Sequence, residues 1–84
     1  TFTSANPPED FENGITMSYI SPSSNDNGLP EGKTSGNLIT YKEPGVGRSY
    51  QEFRESSSSA KYYRNEKSDG TWSVWYKYNM TQVN

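Results

Sequence analysis

Apolar and small polar residues alternate along several short stretches of the chain. In the clearest one, Ile15, Met17 and Tyr19 are separated by Thr16 and Ser18. Because successive side chains of a β-strand point to opposite faces of a sheet, this alternation predicts a half-buried strand over residues 15–19. Weaker patterns of the same kind predict further strands at residues 37–42, 48–54 and 60–65.

Aromatic residues help to assign the faces of these strands. In a regular strand over residues 48–54, Tyr50 and Phe53 lie on opposite faces, whereas a β-bulge would bring them onto one face. Tyr62 and Tyr63 are neighbours and must also point opposite ways. We therefore expect one of them inside the domain and one outside.

A fifth strand is predicted over residues 71–79, directly after Asp69-Gly70. This dipeptide is a strong signal for a hairpin turn, so residues 60–79 are expected to form a β-hairpin. Trp75 is expected on one face of the strand. The opposite face is expected to carry the alternating residues Trp72, Val74, Tyr76 and Tyr78.

Segments rich in Pro, Gly, Ser and Asn separate the predicted strands. The longest is the polar loop at residues 21–36, and loops beyond about 12–15 residues are uncommon unless they are functional or mobile. Leu29 is the aliphatic residue of this loop and is expected to pin it to the rest of the domain.

No stretch of useful length has helical periodicity. We predict an all-β fold: a small antiparallel β-sheet or sandwich, knob-like, with about five strands and long polar loops. The expected organisation is an extended entry segment at residues 1–13, a β knob domain at 14–79 and a C-terminal tail at 80–84. Pro7 and Pro8 favour extended backbone in the entry segment.

The composition determines what the core can be made of. Only 29% of the 84 residues are hydrophobic, and 14% are aromatic. A large ring buries about 150–250 Å² when it is enclosed, so a few rings can replace many aliphatic side chains. We therefore expect aromatic residues in the core. The core is sparse, and without Cys or His the chain has no disulfide and none of the usual metal sites to add stability. We therefore expect oligomerisation to supply it.

The residue types restrict the possible chemistry. The chain has no His and no Cys, which the usual nucleophile–base triads require, and its formal net charge is −2. Most Asp and Glu residues fall in predicted loops, where solvated carboxylates are the ordinary expectation. We predict a domain that binds and is not an enzyme, with no cofactor and no metal. A nucleic-acid partner is not expected because the net charge is negative, whereas a nucleic-acid-binding domain would carry a basic face. Membrane insertion is not expected either, because no apolar run is long enough.

Tyr, Trp, Ser, Asn and Arg are the residues from which adaptable binding surfaces are built. The candidate ligand contacts are Tyr50, Tyr62, Arg64 and Trp72. For Trp72 and Trp75 a place in the core is the favoured alternative, and Arg residues in strands are more often simply solvated.

Five short motifs follow one another along nearly the whole chain. They are a Pro-rich segment with an Asn-Gly turn at residues 6–15, Gly-x-Leu-Ile-x-Tyr at 36–41, Tyr-Gln-x-Phe at 50–53, Tyr-x-Arg at 62–64 and Gly-x-Trp-Ser-x-Trp at 70–75. This ordered set resembles the tip domains of bacteriophage tail fibres and neck appendages, of which the pyocin-knob group is the best-known example.

The resemblance implies a β-structured knob in the virion, on a tail fibre or appendage, that forms a homotrimer. Its ligand would be a bacterial cell-surface glycopolymer, bound for attachment to the host. The resemblance assigns no individual binding or catalytic residue. Two alternatives stay open: a structural trimerisation or spacer module of the fibre, and a carbohydrate-binding module of a secreted hydrolase.

Overall fold

The computed structural model describes residues 2–58 and 60–78, so the predicted tail at 80–84 lies outside the described residues. The strands are β1 (Gly14–Ile20), β2 (Gly36–Lys42), β3 (Tyr50–Glu55), β4 (Lys61–Asn65) and β5 (Tyr76–Lys77). They form one open antiparallel sheet in which each strand pairs with the next in sequence. Single 3-10 turns are the only helical segments in the described ranges, at Pro8–Asp10, Pro22–Ser24 and Pro30–Gly32. The predicted all-β fold is confirmed.

The first four strands begin and end within two residues of their predicted bounds. β3 is regular between Tyr50 and Phe53, which lie on opposite faces. On β4, Tyr62 is 1% exposed and Tyr63 is 36% exposed, so one ring is inside and one outside as expected.

One face of the sheet carries the core. Leu38, Phe53 and Tyr62 lie opposite one another on β2, β3 and β4, and all three are almost fully buried together with Ile20. Leu29, from the loop between β1 and β2, packs onto this row. The prediction that Leu29 pins the long loop to the domain is confirmed.

Irregular segments cover this core face, which we call the covered face. They are residues 2–13, 21–35 and 66–75, and the structure packs them on the side of the sheet that carries Phe53. Phe11 is buried in the first segment, where its ring stacks on Phe2 with 4.4 Å between ring centroids. Residues 2–13 are therefore part of the packed domain, and their backbone consists mainly of turns, bends and the 3-10 turn at Pro8–Asp10.

The predicted fifth strand over residues 71–79 is wrong in length. β5 contains only Tyr76–Lys77, and Trp72 makes an isolated bridge with Glu66 instead. Trp72 also lies on the covered face, whereas Tyr76 lies on the opposite face, so the predicted alternation does not hold.

Hydrogen bonds to distant carbonyl groups explain why the chain leaves the sheet here. The indole N–H of Trp72 donates to the backbone oxygen of Asn6 over 2.9 Å. The indole N–H of Trp75 donates to the backbone oxygen of Gly28 over 3.0 Å. Buried or half-buried indoles need such acceptors. Both hydrogen bonds thus fasten the covering segment 66–75 to the other covering segments, at Asn6 and at Gly28.

β1 presents its apolar side to solvent. Ile15, Met17 and Tyr19 are 71%, 67% and 57% exposed. Thr16 and Ser18 occupy the side of the strand that faces the covered layer. The strand was predicted correctly, but its alternating apolar residues do not belong to the core.

Candidate functional site

The second face of the sheet has no covering segment among the described residues. We call it the tyrosine face because six of its side chains are tyrosines. Its residues share one side of the sheet through the strand register: Ile15, Met17, Tyr19, Ile39, Tyr41, Tyr50, Glu52, Arg54, Lys61, Tyr63, Tyr76 and Tyr78. Most of its large side chains are exposed, which is unusual for one contiguous surface of a small soluble domain.

Three rings form a cluster at the β4–β5 end of this face, and we call it the tyrosine cluster. Tyr63 stacks on Tyr76 with 5.3 Å between centroids and contacts Tyr78 at 5.1 Å. The ammonium group of Lys61 lies 5.5 Å from the centroid of the Tyr78 ring. The short β5 strand and the alternation along β4 place these rings side by side while each stays partly open to solvent.

Glu52 lies at the centre of the tyrosine face. Its carboxylate accepts hydrogen bonds from the hydroxyl of Tyr41 over 2.8 Å and from the hydroxyl of Tyr78 over 2.9 Å. The hydrogen bond to Glu52 raises the pKa of Tyr41. Partial burial, followed by the hydrogen bond to Glu52, raises the pKa of Tyr78 to about 12. Both hydroxyls therefore stay protonated at neutral pH and hold the two rings in place.

The middle of the tyrosine face carries a second ring pair. Tyr41 and Tyr50 are paired in register on β2 and β3, and their rings stack with 4.5 Å between centroids and 17° between planes. Since Tyr41 is also fixed by Glu52, this stack connects the centre of the face to its far end. The rings are thus held by one another and by a single carboxylate, a preorganised arrangement that loses little entropy when a ligand is bound.

On the covered face, Arg64 is buried between the two indoles. Its guanidinium carbon lies 4.4 Å from the ring centroid of Trp75 and 5.2 Å from that of Trp72. Nε donates to the side-chain oxygen of Gln51 over 2.8 Å, and a terminal nitrogen donates to the backbone oxygen of Ser4 over 2.7 Å. Burial lowers the pKa of Arg64 to about 10, and the nearby Asp26 carboxylate opposes this shift. At neutral pH the side chain is charged and joins four parts of the domain.

Asp26 anchors the long loop beside this arginine. Its carboxylate accepts hydrogen bonds from the backbone N–H and the hydroxyl of Ser4, and from the backbone N–H of Gly28 over 3.0 Å. These hydrogen bonds, together with the charge of Arg64, outweigh partial burial, and the pKa of Asp26 is lowered. The loop is therefore tied to the N-terminal segment by an ionised carboxylate.

A family model matches residues 1–77, and its description is the third domain of the phage-like element PBSX protein XkdV. The chain belongs to this family. It is therefore a phage structural domain, as the resemblance to phage proteins led us to expect. Membership in the pyocin-knob group and a position at a fibre tip stay predictions. Neither the curated proteins nor the solved structures include a match to the chain.

The structure separates the four predicted ligand contacts of this phage domain. Tyr50 lies on the tyrosine face and is 39% exposed. Tyr62 and Arg64 are buried in the covered face, and Trp72 is half-buried beside Arg64. The hydroxyl of Tyr62 donates to the carboxylate of Glu31 over 2.6 Å, which together with burial raises its pKa to about 12. Tyr50 is thus the only one of the four on the open surface, and ligand contact by these residues stays a prediction.

Sequence reasoning did not select the tyrosine cluster or Glu52. The alternation of Tyr76 and Tyr78, together with the expectation that either Tyr62 or Tyr63 points outward, contained part of the signal. The pairing of β4 with β5, which brings Tyr63 onto the same side as Tyr76, was the missing information.

Two of the open clefts in the described part of the chain lie between loops. One, of about 450 Å³, lies within the long loop, and its lining residues are Pro22, Asn25, Asp26, Asn27, Gly32, Lys33 and Thr34. The other, of about 540 Å³, is lined by Pro7, Glu9, Lys42, Val46, Glu66, Ser68, Asp69, Gly70 and Thr71. Across residues 2–58 and 60–78, no three Asp or Glu side chains come together in a way that could hold a metal ion. The same residues contain no helix long and apolar enough to cross a membrane.

Proposed function

We propose that this phage structural domain is a non-catalytic attachment module that binds a bacterial cell-surface glycopolymer through the tyrosine cluster. The observation that carries the proposal is the cluster itself. Tyr63 stacks on Tyr76 and contacts Tyr78, and the three rings are still 36–48% exposed on a sheet face that nothing else in the described chain covers.

Such a surface suits a sugar ring. A pyranose presents several C–H groups on one face, and these carry a small positive charge that is attracted to the electron-rich face of an aromatic ring. The hydroxyl groups around the sugar rim need hydrogen-bonding partners, which tyrosine hydroxyls and carboxylate oxygens supply. Glu52 lies beside the cluster, where it accepts the hydrogen bond from Tyr78, and its carboxylate provides such oxygens.

The charges nearby favour an anionic polymer. Arg54 and Lys61 are paired in register on β3 and β4 and lie on the tyrosine face next to the cluster. The chain as a whole has a net charge of −2, so this concentration of cations is local. Arg is well suited to phosphate because its planar guanidinium donates two parallel hydrogen bonds. A phosphate-bearing glycopolymer of the teichoic-acid type fits this combination of rings and cations.

The binding test uses purified bacterial cell walls and purified wall teichoic acid as probes. The wild-type chain is expected to bind. We expect Tyr76→Ala to weaken binding about tenfold, which corresponds to ~1.4 kcal/mol. Val46→Ala, at a 65% exposed position in the turn between β2 and β3, is the matched control and should bind like wild type.

Two results of this test would count against the proposal. One is the absence of binding by the folded wild-type chain to walls from a panel of Gram-positive and Gram-negative bacteria. The other is unchanged binding by a Tyr76→Ala variant whose circular dichroism spectrum and melting temperature match those of wild type.

A structural module of the virion is the second candidate function. The observation that favours it is the exposed apolar side of β1, which contains no charged group. A purely structural module would assemble without binding cell walls, and substitutions in the tyrosine cluster would leave phage adsorption unchanged. The homotrimer implied by the sequence resemblance also stays a prediction.

A further inference from the structure

We propose that β1 is a self-pairing edge: a second copy of this chain adds to β1 in antiparallel orientation, about a two-fold axis that passes through Met17. The two sheets would then continue into one another. This proposal concerns the β1 end of the sheet and does not depend on glycopolymer binding by the tyrosine cluster at the β4–β5 end.

The free edge of β1 is the first observation. Among the described residues, β1 is the outermost strand and has β2 as its one partner strand. Within residues 2–58 and 60–78, no backbone hydrogen bond from a turn or loop reaches Gly14–Ile20. Half of the backbone N–H and C=O groups of an edge strand point away from its partner. Alternate residues along the seven-residue strand β1 therefore offer these groups to another strand.

The usual protections of an edge strand are missing from β1. Natural edge strands are commonly short, or carry a Lys, a Pro or an inward-pointing charge that prevents pairing with another chain. Gly14–Ile20 contains none of these residues, and its register with β2 is unbroken by a bulge. The opposite edge of the sheet contrasts with it, because β5 has only two residues and is preceded by irregular backbone.

The side chains of β1 are the second observation. Ile15, Met17 and Tyr19 are the three most exposed large apolar side chains of the tyrosine face. Ile39 on β2 lies opposite Met17 and extends the same patch. Pairing stabilises an apolar edge strand most when the partner strand also presents apolar side chains, because the cross-strand pairs then bury each other's apolar surface.

The sequence of β1 is complementary to itself. In antiparallel pairing centred on Met17, Ile15 of one copy faces Tyr19 of the other, and Met17 faces Met17. Aromatic residues opposite β-branched residues are favourable cross-strand pairs. On the other side of the strand, Thr16 faces Ser18, which places two hydroxyl groups together. A second copy is therefore the partner that this strand matches, and the lack of charge leaves nothing that would attract a charged partner.

In such a dimer, both tyrosine faces would be available to the same ligand. Pairing at an edge about a two-fold axis perpendicular to the sheet leaves both tyrosine faces on the same side. The two tyrosine clusters would lie at the two outer ends of the joined sheet. Two linked sites raise the avidity for a repetitive polymer without any new contact at either site.

A charge at position 17 tests the proposal directly, because a residue on the two-fold axis meets its own copy. Wild-type chain at about 100 μM is expected to sediment as a dimer in analytical ultracentrifugation. Met17→Lys and Met17→Glu each place two like charges together, and each alone is expected to be monomeric. An equimolar mixture of Met17→Lys and Met17→Glu is expected to recover the dimer, since opposite charges then meet. Val46→Lys introduces a charge at a similarly exposed position elsewhere and should stay dimeric.

Four results would overturn the proposal: a monomeric wild-type chain, a dimer that persists in both single variants, a mixture that stays monomeric, or a trimer that Met17→Lys does not disturb. Recovery of the dimer in the mixture also shows that both variants are folded. Glycopolymer binding by a single tyrosine cluster does not require pairing, so a Met17→Lys monomer that still binds cell walls separates the two proposals.

Discussion

At the scale of single residues, Arg64 shows how a side chain that looks suited to a ligand can serve the fold. It stacks between two indoles and donates to Gln51 and to the N-terminal segment. Every buried side-chain polar atom in the described part of the chain has a hydrogen-bond partner, and several of these partners meet at Arg64. Removing it would leave the side-chain oxygen of Gln51 and the Ser4 carbonyl without this donor.

We expect Arg64→Met to lower the free energy of unfolding by about 2–4 kcal/mol, because buried partners lose their hydrogen bonds. Urea denaturation followed by Trp fluorescence measures this change. Arg54→Met is the matched control: Arg54 is exposed on the tyrosine face, and its substitution should change stability by less than about 0.5 kcal/mol. Equal effects of the two substitutions would contradict the structural role of Arg64.

Tyr62 makes stability depend on alkaline pH. Its pKa is raised from 10.0 to about 12 in the folded chain, first by the hydrogen bond to Glu31 and then by burial. The unfolded chain therefore releases this proton at lower pH than the folded chain does. The stabilisation is complete below pH 10 and is lost as the pH rises from about 10 to 12.

The comparison of wild type with Tyr62→Phe tests this effect. Tyr62→Phe is expected to be less stable at pH 7 by about 1 kcal/mol, because one hydrogen bond is lost. Its stability should then decline less steeply between pH 10 and 12 than that of wild type. Parallel pH profiles for the two chains would show that Tyr62 is not the group responsible.

At the scale of elements, local pattern was sufficient for four strands and insufficient for the rest. The alternation of apolar and polar residues identifies a strand with one apolar and one polar side, but it does not say which side the rest of the chain covers. That is why β1 was predicted as a strand while the exposure of Ile15 and Met17 was not foreseen. The late start of the fifth strand at Tyr76 depends on acceptors for Trp72 and Trp75 that lie 66 and 47 residues away, at Asn6 and Gly28, and no local pattern contains them.

The candidate site shows the same division. The rings of Tyr50 and Tyr62 were both selected from the sequence, yet strand pairing places only Tyr50 on the open surface. Tyr63 and Tyr76 become neighbours through the short β4–β5 pairing, which the residue pattern alone does not specify. The residue types of this surface could be predicted from the composition, but their position on one face of the sheet could not.

Loop attachment gives a prediction at this scale. Leu29 is the aliphatic side chain that seats the long loop on the core, where it is 6% exposed. We expect Leu29→Ala to cost about 2–4 kcal/mol of stability, as for other buried Leu positions, and to increase cleavage of the loop by proteases. Limited proteolysis with mass spectrometry locates the cuts. Val46→Ala, also a loop residue but exposed, should leave both stability and cleavage unchanged.

At the scale of the whole molecule, the sheet has two different faces. Loops, two Trp residues and a buried arginine complete the covered face, so the core of this small domain combines a few aliphatic side chains with aromatic rings and buried hydrogen bonds. The tyrosine face has the same kinds of side chain but no covering layer among the described residues. Aromatic richness therefore serves the fold on one face, and on the other it leaves an exposed aromatic surface, which we propose as the binding surface.

One face of the sheet carries the core, and we propose that the other binds a ligand. The measurement that tests this most directly is an NMR titration of the labelled chain with purified wall teichoic acid. We predict that the signals of Tyr63, Tyr76 and Tyr78 shift in proportion to occupancy, while the indole N–H signals of Trp72 and Trp75 stay in place. Shifts concentrated at the two indoles or at Arg64, with the tyrosine cluster unaffected, would contradict the assignment of the tyrosine face as the binding surface.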